Sequence, residues 1–257
     1  MNIINVLLLK RNIKEDFISQ LLNISSKNIY KRINKLRKFG YLILYAPKEG
    51  YSLVRNIGPL NKYEIKASIN ENLDICKKIK CYKKINSTQT LTKEFAEKGF
   101  KEGLIVFSDI QTKGYGRNKD MWESNIGGLW FSILLRPKIP PNAVYKLLFL
   151  FSNAIKNIVE ENYNIDCEMK WPNDILVYGK KLAGTIIEMS VDSNNILEWI
   201  VIGIGINVNN NLSEYLETTA ISIKSILKRE INITKFISLL LKKIDILYKD
   251  FINETKQ

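Results

Sequence analysis

Apolar positions along the first 54 residues recur at helical spacing and then switch to alternation. The run from Ile3 to Lys10 predicts one short helix and Asp16 to Leu22 a second; "NISS" (23–26) breaks the pattern, with Ser25 or Ser26 as the N-cap of a third. In that third helix, which Gly40 ends as its C′ residue, Ile29, Ile33 and Leu36 share one face and must pack on the earlier helices. Lys27, Asn28, Lys31, Arg32 and Lys35 are left facing outward. "YLILYAPKEGYSLV" (41–54) then reads as a strand, a Pro-Lys-Glu-Gly turn and a second strand. Together these elements predict a winged helix-turn-helix over residues 1–58. Such a helix can carry its basic face into the major groove of DNA while Lys48 on the wing reaches a phosphate. A module used for packing or protein contact, its cationic face merely solvated, would show the same pattern.

"RNIGPLNKYEIK" (55–66) has few large apolar residues and a Gly-Pro pair, and reads as a linker. Beyond it, over residues 65–257, short helices alternate with β-prone runs. "STQTLTKEFAEKG" is a capped helix, "LIVFSDIQ" and "GGLWFSILLRP" are strands, and "AVYKLLFLFSNAIKNIVEEN" is a buried helix. "CEMKW", "DILVYG", "KLAGTIIEMSV" and "EWIVIGIGINVN" add four strands, and "TKFISLLLKKIDILYKDFI" closes with an amphipathic helix. Hairpin-length connections between the later strands predict a mixed or antiparallel sheet with helices on one face, an α+β domain.

Composition narrows the chemistry. A chain of 257 residues with 46% hydrophobic content can bury a core and hold two domains. The net charge of +13, from 39 basic and 26 acidic residues, points to an anionic partner, although a general Lys/Asn/Ile bias would supply much of it. With three cysteines, no CxxC pair and no histidine, a structural zinc site is not expected, and the thiols read as reduced in a cytoplasmic protein. The apolar run at the N-terminus is followed rather than preceded by its positive charges, so it does not read as a signal peptide, and 144–155 is too short and too interrupted to span a membrane.

Two segments carry candidate chemistry. The loop "QTKGYGRNKDMWES" (111–124) follows a strand and holds Lys113, Arg117 and Lys119. Gly114 and Gly116 there are expected to adopt backbone shapes closed to other residues and let amides approach an anion; a mobile surface loop would read alike. No Gly-Lys-Ser/Thr follows and a third glycine is missing, so neither a Walker loop nor a dinucleotide fingerprint is present. In "KWPND" (170–174), Pro172 favours an extended Trp171, with Asn173 and Asp174 forming the next turn. Lys181 follows across a Tyr-Gly-Lys-Lys turn, near enough to share a pocket with Lys170. Two solvated lysines beside a hairpin are the competing reading.

Taken in order, "STQ" (87–89), "QxxGxGRxxxxW" (111–122), "KWPND", "KLAG" (181–184), Glu188 and "GIGINV" (203–208) resemble biotin-protein ligases. With the preceding winged helix, the chain resembles the bifunctional subgroup that also represses biotin genes. The resemblance implies a catalytic domain like that of class II aminoacyl-tRNA synthetases. It implies ATP, biotin and Mg2+ as substrates and cofactors, and a biotin carrier domain of a biotin-dependent carboxylase and operator DNA as partners. It further implies a possible homodimer, and the apolar runs described above predict no membrane partner. The implied enzyme is a biotin–[biotin carboxyl-carrier protein] ligase.

By the same resemblance, Lys181 and Arg117 are the catalytic cations. Biotin is bound by Ser87, Thr88, Gln89, Gln111, Tyr115, Gly116, Arg117, Lys181 and Gly184, the last leaving room for the ligand. The nucleotide is bound by Gly114, Arg117, Trp122, Lys170, Asn173 and Asn207. Lys27, Asn28, Lys31, Arg32, Lys35 and Lys48 contact DNA. Three departures stand out. The family loop Gly-Arg-Gly-Arg-x-Gly-Arg-x-Trp here reads Gly114-Tyr115-Gly116-Arg117-Asn118-Lys119-Asp120-Met121-Trp122, without two of the arginines and one glycine. Gln89 stands where Asn is usual, and the small C-terminal β-barrel of many members is expected to be absent. A biotin-responsive regulator without turnover, a ligase with a vestigial winged helix, and a lipoate ligase are the alternatives.

Overall fold

In the computed structural model, residues 3, 6, 7, 12–38, 41, 43–53 and 60–255 are described. The expected C′ residue Gly40 and the Gly58-Pro59 pair lie outside them. The chain divides into two compact units, 1–67 and 68–257.

In the first unit, helix α1 (Glu15–Leu22) ends at Asn23, whose left-handed backbone (φ 49°) turns the chain. Ser19 Oγ donates to the Ile24 carbonyl at 2.7 Å, and α2 (Ser26–Lys38) starts with the Ile29 amide donating to Ser25 O. Ser25 therefore holds the N-cap position. Ile29, Ile33 and Leu36 face a core built with Ile18, Ile13, Val6 and Leu7, as their spacing requires. Strands β1 (Ile43–Ala46) and β2 (Gly50–Leu53) form the expected hairpin. Its register adds a partner the pattern did not reveal: Ile13 and Tyr51 exchange two backbone hydrogen bonds of 2.8 Å each. Lys27, Asn28, Lys31, Arg32, Lys35 and Lys48 are all exposed. Arg37 is exposed but tied to the hairpin, donating to the Ile43 carbonyl from Nε and from one terminal nitrogen.

Part of the expected linker is helical instead: α3 (Lys62–Ile69) buries Glu64, Ile65 and Ile69. In the second unit the order is β3 (Lys78–Ile85), α4 (Thr88–Glu97), β4 (Leu104–Gln111), β5 (Leu129–Leu135), α5 (Val144–Tyr163), β6 (Glu168–Lys170), β7 (Asp174–Val177), β8 (Lys180–Val191), β9 (Leu197–Ile206), α6 (Ile223–Leu227) and α7 (Ile233–Glu254). The seven strands form one mixed sheet in the order β3-β4-β5-β9-β8-β7-β6, parallel only between β3 and β4.

Parity along the strands places the core on both faces of this sheet. Leu104, Val106, Leu134 and Val201 point to the side where α4 packs through Leu91, Phe95 and Ala96. Ile105, Phe107, Phe131, Ile133, Ile202 and Ile204 point the other way and are equally buried. The expectation of helices on one face is thus corrected: a sheet whose central strand β5 is buried at every position must be covered on both. The α4 side is where side chains become polar. Ser132, Gly203, Gly205 and Gly184 continue the Leu134/Val201 row and open a cavity there.

Candidate active site

A cavity of about 310 Å³ lies between the start of α4, the loop 111–124, the β7–β8 hairpin and the segment after β9. Its floor is a polar network held by buried groups. Ser87 caps α4, its Oγ accepting from the Thr90 amide. The Thr88 amide donates to Gln111 Oε1 at 2.7 Å and Thr88 Oγ1 meets Ser132 Oγ at 2.9 Å. Ser132 Oγ donates in turn to Gln89 Oε1 (3.1 Å), while Gln89 Nε2 donates to the Val201 carbonyl (3.0 Å). Gln111 Nε2 donates to Ser124 Oγ at 2.8 Å and joins the loop to the floor. Ser132 is hidden in an apolar strand, and only its place opposite Gly203 reveals its role.

Glycines in the floor make space for side chains already present. A Cβ on Gly203 would lie 2.6 Å from Gln89 Oε1, and one on Gly205 2.7 Å from the Trp122 ring. Gly184 lines the cavity, and Trp122, Asp174 and Lys181 each come within 3.2 Å of its would-be Cβ. The loop glycines also act differently from expectation. Gly114 is needed for closeness, since a Cβ would meet Trp122 O at 2.6 Å, and it does not itself line the cavity. Gly116 has open space and a negative φ; Asn118 (φ 59°) and Lys119 (φ 65°) carry the left-handed turn instead.

Lys181 Nζ sits 2.7 Å from Asp174 Oδ2 and 5.2 Å from the centre of the Trp122 ring. Asp174 Oδ1 is buried without a hydrogen-bond partner among the described residues, as is Trp122 Nε1. Both therefore present unspent polar capacity at the cavity. Arg117 and Asp120 stand exposed at its rim. Asn173 Nδ2 donates to Thr185 O, and Asn207 Nδ2 donates to Lys181 O while its Oδ1 accepts from Asn210.

Lys170 is not brought to the cavity. It ends the edge strand β6, exposed, in register with Asp174. The turn itself spans 171–173, with a cis Trp171–Pro172 peptide, so Asp174 opens β7 instead of forming the turn. A register shift at Ile175/Leu176 then sets Lys181 opposite Leu176, and its side chain reaches back to Asp174.

Tyr115 forms a second cluster with three residues outside the predicted site set. Its hydroxyl donates to Glu188 Oε1 (2.8 Å), Lys93 Nζ donates to Glu188 Oε2 (2.6 Å), and Lys119 Nζ lies 4.5 Å over the Tyr115 ring. Burial pushes the Glu188 carboxyl up, but the hydrogen bonds from Lys93 and Tyr115 outweigh it and hold the group below its ordinary range. Burial, then the Glu188 carboxylate, push the Tyr115 phenol up, so it stays protonated and donating.

Residues 81–207 match the model of the Biotin/lipoate A/B protein ligase family. The Bifunctional ligase/repressor BirA of Bacillus subtilis is 33% identical over 239 residues, 91% of this chain and 73% of that relative. The chain belongs to the biotin/lipoate A/B protein ligase family. The BirA of Bacillus spizizenii is 35% identical over 199 residues, 77% of this chain and 61% of its own length. Among solved structures, the biotin protein ligase from Aquifex aeolicus in complex with biotin and ATP superposes with a TM-score of 0.59 at 30% identity, covering 70% of this chain and 73% of that one. The family match ends at Asn207, so the segment that follows, with cavity-lining Leu212, Leu216, Thr219 and Ala220, lies beyond it.

Proposed function

We propose that the chain is a biotin-protein ligase that forms biotinyl-5'-AMP from biotin and MgATP and hands biotin to a lysine of a carrier domain of a biotin-dependent carboxylase in the cytoplasm. In the first step a biotin carboxylate oxygen attacks the α-phosphorus and the bond to pyrophosphate breaks. In the second the acceptor amine attacks the acyl carbon, AMP leaves, and the amine loses its proton. Neither step needs a protein nucleophile, which suits a chain without histidine. The demand is to bring two anions together, and fixed cations in a partly dehydrated cavity meet it.

The observation that carries this reading is Lys181, a cation held 2.7 Å from Asp174 beside Trp122 and above a floor of buried hydrogen-bonding groups. Lys181 would contact both the carboxylate and the phosphate, with Arg117 at the rim retaining the adenylate. Ser87, Thr88, Gln89 and Gln111, with Ser132, would hold biotin's polar head; Trp122, Asn173 and Asn207 would border the nucleotide. Lys170, exposed on the edge strand beside Asp174, stands outside the cavity lining. Magnesium would enter as part of MgATP. The relatives named as bifunctional ligase/repressor support a second role for the first unit, a winged helix-turn-helix that binds operator DNA through Lys27, Asn28, Lys31, Arg32, Lys35 and Lys48.

Biotin-dependent exchange of labelled pyrophosphate into ATP tests the reading. Exchange that requires biotin, is not supported by lipoate and is lost in Lys181→Ala supports it; exchange untouched by Lys181→Ala overturns the central assignment.

A further inference from the structure

Two walls of the cavity come from distant parts of the chain and meet at one carboxylate. Trp122 and Glu123 close the loop after β4; Leu212 and Leu216 belong to the segment after β9. Glu123 Oε1 accepts from Asn125 Nδ2 (2.9 Å) and the Ser213 amide (3.3 Å), and Oε2 accepts from Ser213 Oγ (2.6 Å) and Tyr215 Oη (3.0 Å). Ser213 is the N-cap of the short turn Glu214–Leu216, so Glu123 fixes the start of the turn that presents Leu212 and Leu216.

The far end of that segment is fastened independently. Lys181 N donates to Thr219 O (2.8 Å), Ile221 N donates to Lys181 O (3.1 Å), and Lys180 Nζ reaches Glu217 O (2.5 Å). For residues 212–216, the bonds to Glu123 are the only hydrogen bonds to another part of the chain among the described residues. A carboxylate suits this place because both oxygens accept, whereas an amide would turn a donor toward the Ser213 N–H or the two hydroxyls.

We propose that Glu123 is a positioning residue that clasps the Trp122 wall to the Leu212/Leu216 wall and so sets how tightly nucleotide and adenylate are kept. This rests on the ligase reading only for the identity of the ligand; the clasp itself belongs to the ligand-free protein.

The test uses the full chain with Glu123→Ala, Ser213→Ala/Tyr215→Phe, and the three changes combined. In ligand-free protein, amide exchange across 212–217 is expected to rise roughly tenfold in either variant, a fall of about 1.4 kcal/mol in local protection. The KM for ATP and the release rate of the adenylate should rise by a similar factor, with the Kd for biotin within about twofold of wild type. The combined variant should be no worse than Glu123→Ala alone, because Glu123→Ala already removes every bond that the other two changes remove. Unchanged exchange, or effects that multiply in the combined variant, overturn the clasp. Should wild-type protein form no adenylate, the ligase reading fails, and the exchange measurement alone decides the clasp.

Discussion

Gly205→Ala tests whether Trp122 stands where the cavity needs it. A Cβ there would lie 2.7, 2.8 and 2.9 Å from three atoms of the Trp122 ring. Ordinary carbon–carbon separations begin near 3.5 Å, so something must move by about 0.8 Å. The strand cannot, because β9 is bonded on both sides at this position, to Trp130 of β5 and Gly184 of β8. The ring must therefore shift, into a neighbourhood crowded by Gly184 and Lys181. Overpacking of this kind costs roughly 1–3 kcal/mol, a fall in Tm of about 2–10 °C for a unit of this size. Because the ring sits on a loop, much of the strain should instead displace Trp122. A misplacement approaching 1 Å at a site of this chemistry costs up to about a hundredfold in rate. The expected outcome is a folded variant with a modest fall in Tm and at least about a tenfold loss of adenylate retention. Adding Trp122→Phe should recover stability without recovering retention. Wild-type retention in folded Gly205→Ala would refute the placement of Trp122 over the ligand.

Gly50→Ala combines a φ of +90° with a Cβ only 2.2 Å from Ile13 O. It should destabilise the first unit by roughly 2–6 kcal/mol, seen as faster hydrogen exchange in residues 12–53 and not in the second unit; equal change in both would contradict this. Lys93→Met removes the leading group that holds the Glu188 carboxyl low. A depressed carboxyl stabilises the fold above its unfolded pKa and gives up that contribution as pH falls through the folded value. The variant should therefore be less stable by about 1 kcal/mol at neutral pH, with the gap closing in acid; a gap independent of pH would show that packing alone is involved. If the first unit binds DNA through its exposed helix face, Arg32→Ala/Lys35→Ala should flatten the slope of log K against log salt by about 0.9 for each phosphate no longer neutralised, and an unchanged slope removes both from the interface.

The sequence reads most clearly where periodicity is strong. β4, β5, β8 and β9 alternate or run apolar and are predicted within a few residues, as are α4, α5 and α7. β3, "KIKCYKKI", escapes because an edge strand can carry lysines at half its positions, which blurs the alternation a buried strand shows. The floor residues Ser87, Thr88, Gln89 and Gln111 are legible through the motifs shared with biotin-protein ligases, and the structure joins them where the start of α4 meets the end of β4. Lys170 is misplaced by the sequence because closeness along a hairpin does not carry a residue on the exposed edge strand β6 into the cavity, although its register partner Asp174 lines it. Glu123, Ser213 and Tyr215 give no local signal; a carboxylate shared by segments 90 residues apart becomes visible only once the chain is folded.

The central claim concerns chemistry at Lys181, and one measurement reaches it. Purified protein is incubated with MgATP, biotin and a biotin carrier domain, and the carrier is weighed by mass spectrometry beside a Lys181→Ala control. The account predicts the mass gain of one biotin on the carrier with wild-type protein and none with the variant. An unmodified carrier in the presence of bound biotin would contradict it, leaving a biotin-binding regulator without transfer chemistry.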